Sequence, residues 1–552
     1  MAQTFDFIIV GAGSAGCVLA DKLTQNGRYK VLLIEAGGTD RRFWIRIPVG
    51  YGFTFSDPAV NWRYSAAPDP GLNGREAYWP RGKVLGGSSS INAMAYVRGL
   101  PHDFEDWVAA GAAGWGWDSV RRSYEALETN DEWQGGNRRL RGSGPVRVTD
   151  LSERMHPFAR NFLAAAQDMG WPVLEDMNAA ADAGANTLPG EGMGYVRSTV
   201  KDGRRWSSAD AFLRPAMTRG NLTVVSGALV EKVLTSGGRA TGVAYRTKGL
   251  PELALAAREV ILSAGAVNTP QLLQLSGIGP AALLRRHGIA VKHDLPQVGQ
   301  GLQDHLAVSH FFWANTATLN DRLGSLAGQM RAGLQYVLTR RGPLSVPVNQ
   351  CSGFVRTQGA ALPDVQVYCN PASYSTRPSG KPQIDRDNGF LLCVQPSRPT
   401  SRGQIAIQSA DPVQAPLIAP NSLATEEDKA TAVRAGRLLQ ALASTPAITS
   451  VTRERRAPDI IGMDDEALLE NFRTRAGTVF HASCTCRMGH DAADSVLDAR
   501  LRVHGVAGLR VIDASSFPNV TSGNTNAPTM MLAARGAELV LEDNENRPLA
   551  AE

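Results

Sequence analysis

Residues 5–36 read FDFIIVGAGSAGCVLADKLTQNGRYKVLLIEA, and the punctuation of this stretch decides the fold. Residues 5–10 are an apolar run of strand length, and Gly11, Gly13 and Gly16 follow at once. Residues 17–23 carry apolar side chains at helical spacing, and a second apolar run, 30–34, ends in Glu35 and Ala36. Strand, G-x-G-x-x-G, helix and strand with a closing acid predict a βαβ unit that binds a dinucleotide. Gly11 permits a tight turn, Gly13 lets backbone approach a pyrophosphate, and Gly16 lets helix pack on strand. The helix start, with Ser14 beside it, offers free N–H groups and a positive dipole end to the phosphates. The Glu35 carboxylate can accept ribose hydroxyls and would repel a 2′-phosphate, which favours FAD or NAD over NADP.

Working outward, 552 residues exceed one core, because single cores stop growing at roughly 250–300 residues, so two domains are expected. A net charge of +5 over this length, with no dense Lys/Arg tract, is too thin to argue for nucleic acid, and no nucleic-acid partner is expected. The six cysteines, Cys17, Cys351, Cys369, Cys393, Cys484 and Cys486, form neither a disulfide framework nor a zinc pair, so no metal is expected. No apolar run reaches membrane-spanning length and the chain enters its first strand almost directly. A cytoplasmic location is therefore expected, with peripheral contact at the inner face of the membrane left open.

Residues 82–92 (GKVLGGSSSIN) combine glycines and serines that let backbone pass close to a ligand, and Ile91, Met94, Ala95 and Val97 anchor the loop. Residues 155–170 predict an amphipathic helix and 178–194 an Ala/Gly-rich loop. Strands follow at 222–226, 229–234, 240–245 and 259–264, with Gly237-Gly238 as a hairpin turn. Thr269 and Pro270 predict the N-cap and first position of a helix over 271–275. Residues 311–477 lack glycine fingerprints; strands at 365–369, 389–394 and 404–409 and helices at 426–442 and 465–475 predict a second domain on an antiparallel sheet. A strand at 508–512 ending in Asp513, a loop over 514–528 and a helix over 529–542 return to the first style. The fold expected is a Rossmann-like α/β dinucleotide domain, residues 1–310 and 478–545, with an α+β substrate domain at 311–477.

Four separated motifs now agree: the βαβ unit; Gly82-Lys-x-Leu-Gly-Gly87-Ser88-Ser-x-Ile-Asn92; Gly265-Ala-x-x-Thr-Pro-x-Leu-Leu-x-x-Ser-Gly-Ile-Gly279; and Phe480-His481 through Gly489, with Asp513 and Gly523-Asn524-Thr-Asn526 beyond it. Val298-Gly-x-x-Leu-Gln-Asp-His305 adds a fifth. Together they resemble the glucose–methanol–choline (GMC) oxidoreductases, closest in wording to choline and aliphatic alcohol dehydrogenases. The resemblance selects FAD. It implies that Glu35 holds the adenosine ribose, that Val230 faces the adenine and that the Gly11, Gly13 and Gly16 loop meets the pyrophosphate. Gly87, Asn92 and Met94 would approach the flavin, Asp513 and Ala514 would line the phosphate and ribityl chain, and the helix near Pro528 would aim its positive end at the ring. Relatives with covalent flavin carry a histidine just before the position of Asn92; here it is Ile91, so non-covalent FAD is expected.

Oxidising an alcohol removes a hydroxyl proton and a hydride, and a histidine suits the proton at neutral pH. By resemblance His481 is that base and Asn524, where relatives carry His or Asn, donates to the substrate oxygen. His305 and His490 read as structural bystanders, and Cys484 and Cys486 as buried packing. The reading taken is oxidation of a small primary alcohol, aliphatic or aromatic, to the aldehyde, with electrons passed to a quinone or other non-oxygen acceptor. The rival readings are a choline dehydrogenase, a peroxide-forming alcohol oxidase, and a non-redox lyase or photodecarboxylase on the same scaffold. Choline would call for an aromatic cage and a carboxylate, for which Phe312, Trp313 and Tyr368 are the aromatic candidates in the second domain.

Overall fold

The structure is a computed structural model that describes residues 3–134, 137–179, 190–376 and 382–545. The expected 178–194 loop lies for the most part outside the described residues, and its end is a short strand, Gly192–Tyr195.

Gln3–Val10 lies inside a seven-stranded sheet, flanked by Val31–Glu35 and Leu250–Leu262. Both pairings are parallel, and Val10 stands level with Ile34 on one side and Leu262 on the other. Leu222–Ser226 continues the sheet in parallel, with Ser226 opposite Glu35. The strands therefore end together, and the segments that follow them, starting at Gly11, Ala36 and Ser263, emerge along one edge. Phe7, Ile8 and Ile9 are fully buried, as a parallel strand covered on both faces requires. The crossover helix Ser14–Thr24 packs against Asn526–Asn544, and one apolar core runs from Phe5 to Val540.

The long strand Leu250–Leu262 shares its second edge between two partners. Its first half pairs antiparallel with Arg239–Thr247, which returns from Ala228–Ser236 through the Gly237-Gly238 turn. Its second half pairs parallel with Leu509–Val511. That pairing puts Asp513 at the same edge as Gly11 and Ser263.

The second sheet is antiparallel throughout, in the order Cys351–Val355, Val365–Asn370, Gly389–Pro396, Leu306–Ala314, Thr452–Arg455. Helices Glu426–Ala443 and Asp465–Arg475 cover it. Its core also takes Phe158, Ala159, Phe162 and Ala165 from helix Ala159–Asp168 and the residue before it, so packing does not follow a boundary at residue 310/311. The third strand expected there runs Gly403–Ala406 and belongs instead to a separate three-stranded sheet with Gln300–Leu302 and Leu417–Ala419.

The helix expected over 155–170 runs Ala159–Asp168, and two further helix starts differ from expectation. The helix expected from residue 271 runs Gly265–Leu275, with Pro270 inside it. An interior proline leaves the carbonyl four residues back without its helical donor; here that carbonyl, of Ala266, accepts from the Thr485 hydroxyl at 2.7 Å. The helix is capped by Asp513, whose Oδ2 accepts from Gly265 N at 2.8 Å and from the Thr269 hydroxyl at 2.7 Å. The last helix runs Asn526–Asn544 rather than from 529, with Pro528 in its first turn, where a missing N–H breaks no helical bond.

Candidate active site

The aligned strand ends and one face of the antiparallel sheet open into a single cavity of about 1090 Å³. Gly11, Gly13, Ser14, Glu35 and Ala36 line it from the first βαβ unit, and Gly82, Gly87, Ser88, Asn92 and Met94 from the second loop. Val230, Asp513, Ala514, Asn524, Asn526 and His481 complete the part of the lining that the sequence anticipated. Gly16 and Pro528 stand outside it. A Cβ on Gly16 would sit 1.9 Å from the Gly11 carbonyl oxygen, so this glycine serves helix–strand contact alone. A Cβ on Gly13 would find one protein atom within 4 Å, at 3.9 Å, because the rest of that space is cavity.

The anionic groups at this end are held by backbone. Glu35 Oε2 accepts from Ala12 N at 2.8 Å and Oε1 from Gly37 N at 2.7 Å, which leaves each oxygen a further lone pair. Burial pushes the Glu35 carboxyl up to about 7 against the pull of those two donors. Asp513 is saturated: besides its two bonds to the Gly265 helix, Oδ1 accepts from Ser515 N and the Ser515 hydroxyl. It joins two cavity walls and has little left to offer a ligand. Ser14 Oγ donates to Asn526 Oδ1 at 2.7 Å, which ties two helix starts together at the cavity. Arg205, buried behind the second loop, donates to Asn92 Oδ1 at 2.7 Å and fixes the side chain that the resemblance sets near the flavin.

At the other end His481 meets Asn524. Asn524 Nδ2 lies 3.1 Å from His481 Nε2. His481 Nδ1 lies 2.9 Å from Nδ1 of His305, and His305 Nε2 lies 3.0 Å from the Ser397 carbonyl oxygen. A carbonyl only accepts, so His305 carries its proton on Nε2 and its Nδ1 accepts. His481 must then donate from Nδ1, which leaves a lone pair on Nε2, the atom facing Asn524. Burial holds both rings neutral: it pushes His305 down to about 4, and it drives His481 well below the usual imidazole range, with His305 and Arg81 adding to the effect. The arrangement is an imidazole base with its tautomer set from behind and an amide N–H beside its lone pair.

The backbone around this pair is fixed by groups the sequence reading did not single out. Asp304 Oδ1 accepts from His481 N at 2.7 Å and from His305 N at 2.9 Å. Phe480, just before His481, has φ +72°, a conformation that costs a bulky residue about 1–3 kcal/mol. Arg81 holds it by donating to the Phe480 carbonyl at 2.7 Å, and the Thr478 hydroxyl accepts from its N–H at 2.9 Å. A second Arg81 nitrogen, Nη2, is buried without a partner. His305, expected to be a bystander, is thus a direct neighbour of His481. An antiparallel bridge between Gln303 and Ser483 sets the two segments side by side, a contact no local pattern reveals. Of the three aromatics considered for a cage, only Tyr368 lines the cavity. Phe312 is stacked on Phe390 at 4.9 Å in the core, and the Trp313 ring lies under Arg456. The six cysteines are buried and unpaired.

With this geometry in place the chain can be compared with known proteins. The GMC oxidoreductase signature matches in two parts, residues 5–307 and 399–533. An oxygen-dependent choline dehydrogenase of Photobacterium profundum is 40% identical over 559 residues, spanning 100% of this chain and 94% of that one. An alcohol dehydrogenase [acceptor] of Pseudomonas putida is 39% identical over 542 residues, spanning 97% and 96%. Among solved structures, pyridoxine 4-oxidase from Mesorbium loti matches with a TM-score of 0.85 at 28% identity, over 98% of this chain and 99% of that one. The chain belongs to the GMC oxidoreductase family. It is an FAD-dependent oxidoreductase acting on CH–OH groups. The cavity fits that cofactor: Gly13 faces open space, Glu35 keeps free lone pairs, and the Ser263 hydroxyl in the cavity wall is buried without a partner.

Proposed function

We propose that the protein oxidises a primary alcohol with an apolar body to the aldehyde and passes the electrons to a quinone. The observation that carries the chemistry is the His481–Asn524 pair with its Nε2 lone pair turned to the amide. An alcohol hydroxyl entering between them donates to His481 Nε2 and accepts from Asn524 Nδ2, replacing their mutual bond. His481 takes the hydroxyl proton, and the amide N–H stabilises the charge that grows on oxygen. Bound FAD supplies the hydride acceptor. Asp304 and His305 keep the imidazole in register while the proton moves. The side chain at Ile91 offers no nucleophile to the cofactor, which supports a non-covalent FAD.

The substrate class is supported by the apolar share of the sheet-side lining, Leu323, Val348, Tyr368, Tyr374, Leu391 and Phe480, which stands beside the uncharged polar Ser309, Asn349, Asn370 and Gln383. Among the described lining residues the only carboxylates are Glu35 and Asp513, both on the dinucleotide side. A quaternary ammonium taken from water calls for a nearby anion as well as aromatic faces. Choline is the second reading, favoured by those same aromatics and by the choline dehydrogenase relatives. Stopped-flow flavin reduction under anaerobic conditions separates them. Medium-chain primary alcohols are expected to bleach the flavin with higher kcat/KM than choline; the reverse ranking moves the assignment to choline, and bleaching by neither sinks both. The acceptor is tested by peroxide yield in air, expected to be low beside the rate with a soluble quinone.

A further inference from the structure

The helix Leu326–Thr339 buries only Ala332 and Tyr336 among its fourteen residues. Leu326, Met330, Leu334, Val337 and Leu338 are each 56–78% exposed. Their spacing, i, i+4, i+8, i+11 and i+12, gathers them on one face, away from the face that carries Ala332 and Tyr336. Gln329, Gly333, Tyr336 and Val337 of the same helix line the cavity, so this face borders its mouth. Three exposed aromatics stand at the same mouth. Phe43, Trp44 and Phe53 also line the cavity, Trp44 stacks on Phe53 at 4.1 Å, and Phe43 meets Trp44 edge-on at 5.0 Å.

Exposed apolar groups gathered around one cavity mark a contact surface, and the charge around them says what the contact is. The stretches that carry these residues, 41–56 and 322–345, hold seven arginines; Asp40, Asp57 and Asp321 stand at their borders, and Arg42 pairs with Asp57 and Arg46 with Asp40 and Asp210. Arg41, Arg322, Arg331 and Arg341 among them are exposed. Aliphatic residues on one helix face, aromatic rings beside them and arginines around them are the composition of a segment that lies in the interface of an anionic bilayer. Arginine stems can follow the apolar surface while their guanidinium groups stay with the phosphates.

We propose that this rim docks the protein on an anionic phospholipid bilayer, with the cavity mouth turned to the lipid. Apolar alcohols and a lipid-soluble acceptor then reach the site from the membrane. The docking itself does not depend on which alcohol is oxidised, and its test is separate from turnover.

FAD-loaded protein is sedimented with vesicles of pure phosphatidylcholine and of phosphatidylcholine mixed with phosphatidylglycerol, at low and high salt. Binding is expected to the mixed vesicles, weaker in salt but not abolished, and slight on phosphatidylcholine alone. Met330→Glu/Leu334→Glu/Leu338→Glu, which alters no cavity-lining residue, is expected to cut the bound fraction by roughly tenfold or more. Its turnover of a short alcohol with a water-soluble dye should match the parent. Arg331→Glu/Arg341→Glu should lose the preference for phosphatidylglycerol. A parent protein that stays in the supernatant with mixed vesicles overturns the proposal. So does a parent dimer on gel filtration that the triple variant converts to monomer, because the rim is then covered by a second copy.

Discussion

At the dinucleotide end of the cavity the inward-facing groups are mostly backbone, supplied by glycine turns and helix starts, each a short local motif although the motifs themselves are spread along the chain. At the sheet end they are side chains, His481, Asn524 and Tyr368, brought from segments far apart, with His305 behind them. Backbone sites depend little on side-chain identity and fail where an added atom meets packed main chain. Side-chain sites accept small changes of shape and fail when one proton is misplaced. The contrast separates the tasks: one end gives a large, unreactive ligand a fixed seat, and the other must move a proton at a chosen nitrogen.

The largest effect is expected where the backbone end is closest packed. Gly16→Ala places a Cβ 1.9 Å from the Gly11 carbonyl oxygen, against main chain that cannot swing aside, and should yield protein without a flavin absorption band. Gly13→Ala, with open space around it, should keep the band and only weaken FAD. If the two variants load FAD equally, the backbone account of this end is wrong.

Next is the sheet end. His481→Ala should lower alcohol-driven flavin reduction by about 10³-fold, within the roughly 10²–10⁴ range for a general base, while FAD stays bound. Because burial holds the wild-type imidazole well below its usual range, the free base is already present at neutral pH. kcat/KM should therefore stay level as pH falls through 6.5, the ordinary imidazole value, and decline only further into acid. A decline centred at that ordinary value or above it would contradict the buried, neutral ring.

A smaller loss is expected one residue behind. His305→Ala removes the acceptor for His481 Nδ1–H and should cost about 1–3 kcal/mol of barrier, a few-fold to a hundredfold in rate. The acid limb of the pH profile should move with it. His305→Gln, whose side-chain oxygen can accept that N–H, should recover part of both. Equal damage by Ala and Gln, with no movement of the pH limb, would leave His305 a packing residue.

The smallest effect returns to the dinucleotide end. With its carboxyl raised to about 7 by burial, Glu35 is partly protonated in the FAD-free protein near neutrality. Ribose hydroxyls donate to the ionised form, so binding releases a proton, and affinity for FAD should rise as pH goes from about 6 to about 8. Fluorescence titration of the FAD-free protein measures this, and Glu35→Gln should bind more weakly with a flat pH dependence. A wild-type Kd that does not change over that range removes Glu35 from the ribose.

The same contrast governs how far the sequence could be read. The βαβ unit, the cavity-lining loops and the family were legible because each rests on adjacent residues whose spacing carries its own physics. The start of the Gly265–Leu275 helix was misplaced because distant groups intervene: Asp513 caps at residue 265, and Thr485 stands in for the hydrogen bond that Pro270 removes. His305 was in view within its motif, but its meeting with His481 depends on the bridge between Gln303 and Ser483. Phe312, Trp313 and Tyr368 show the same limit within one sheet, since burial in the core or in the cavity turns on what packs above each face.

The shared edge of Leu250–Leu262 has one more consequence. The segments bearing Asp513 and Asn524 gain their seat only when Leu509–Val511 settles beside Val260–Leu262, long after the turn at Gly11 has been synthesised. Order of synthesis thus acts as a safety catch: the polypeptide owns no means of attacking a carbinol until its final strand is home.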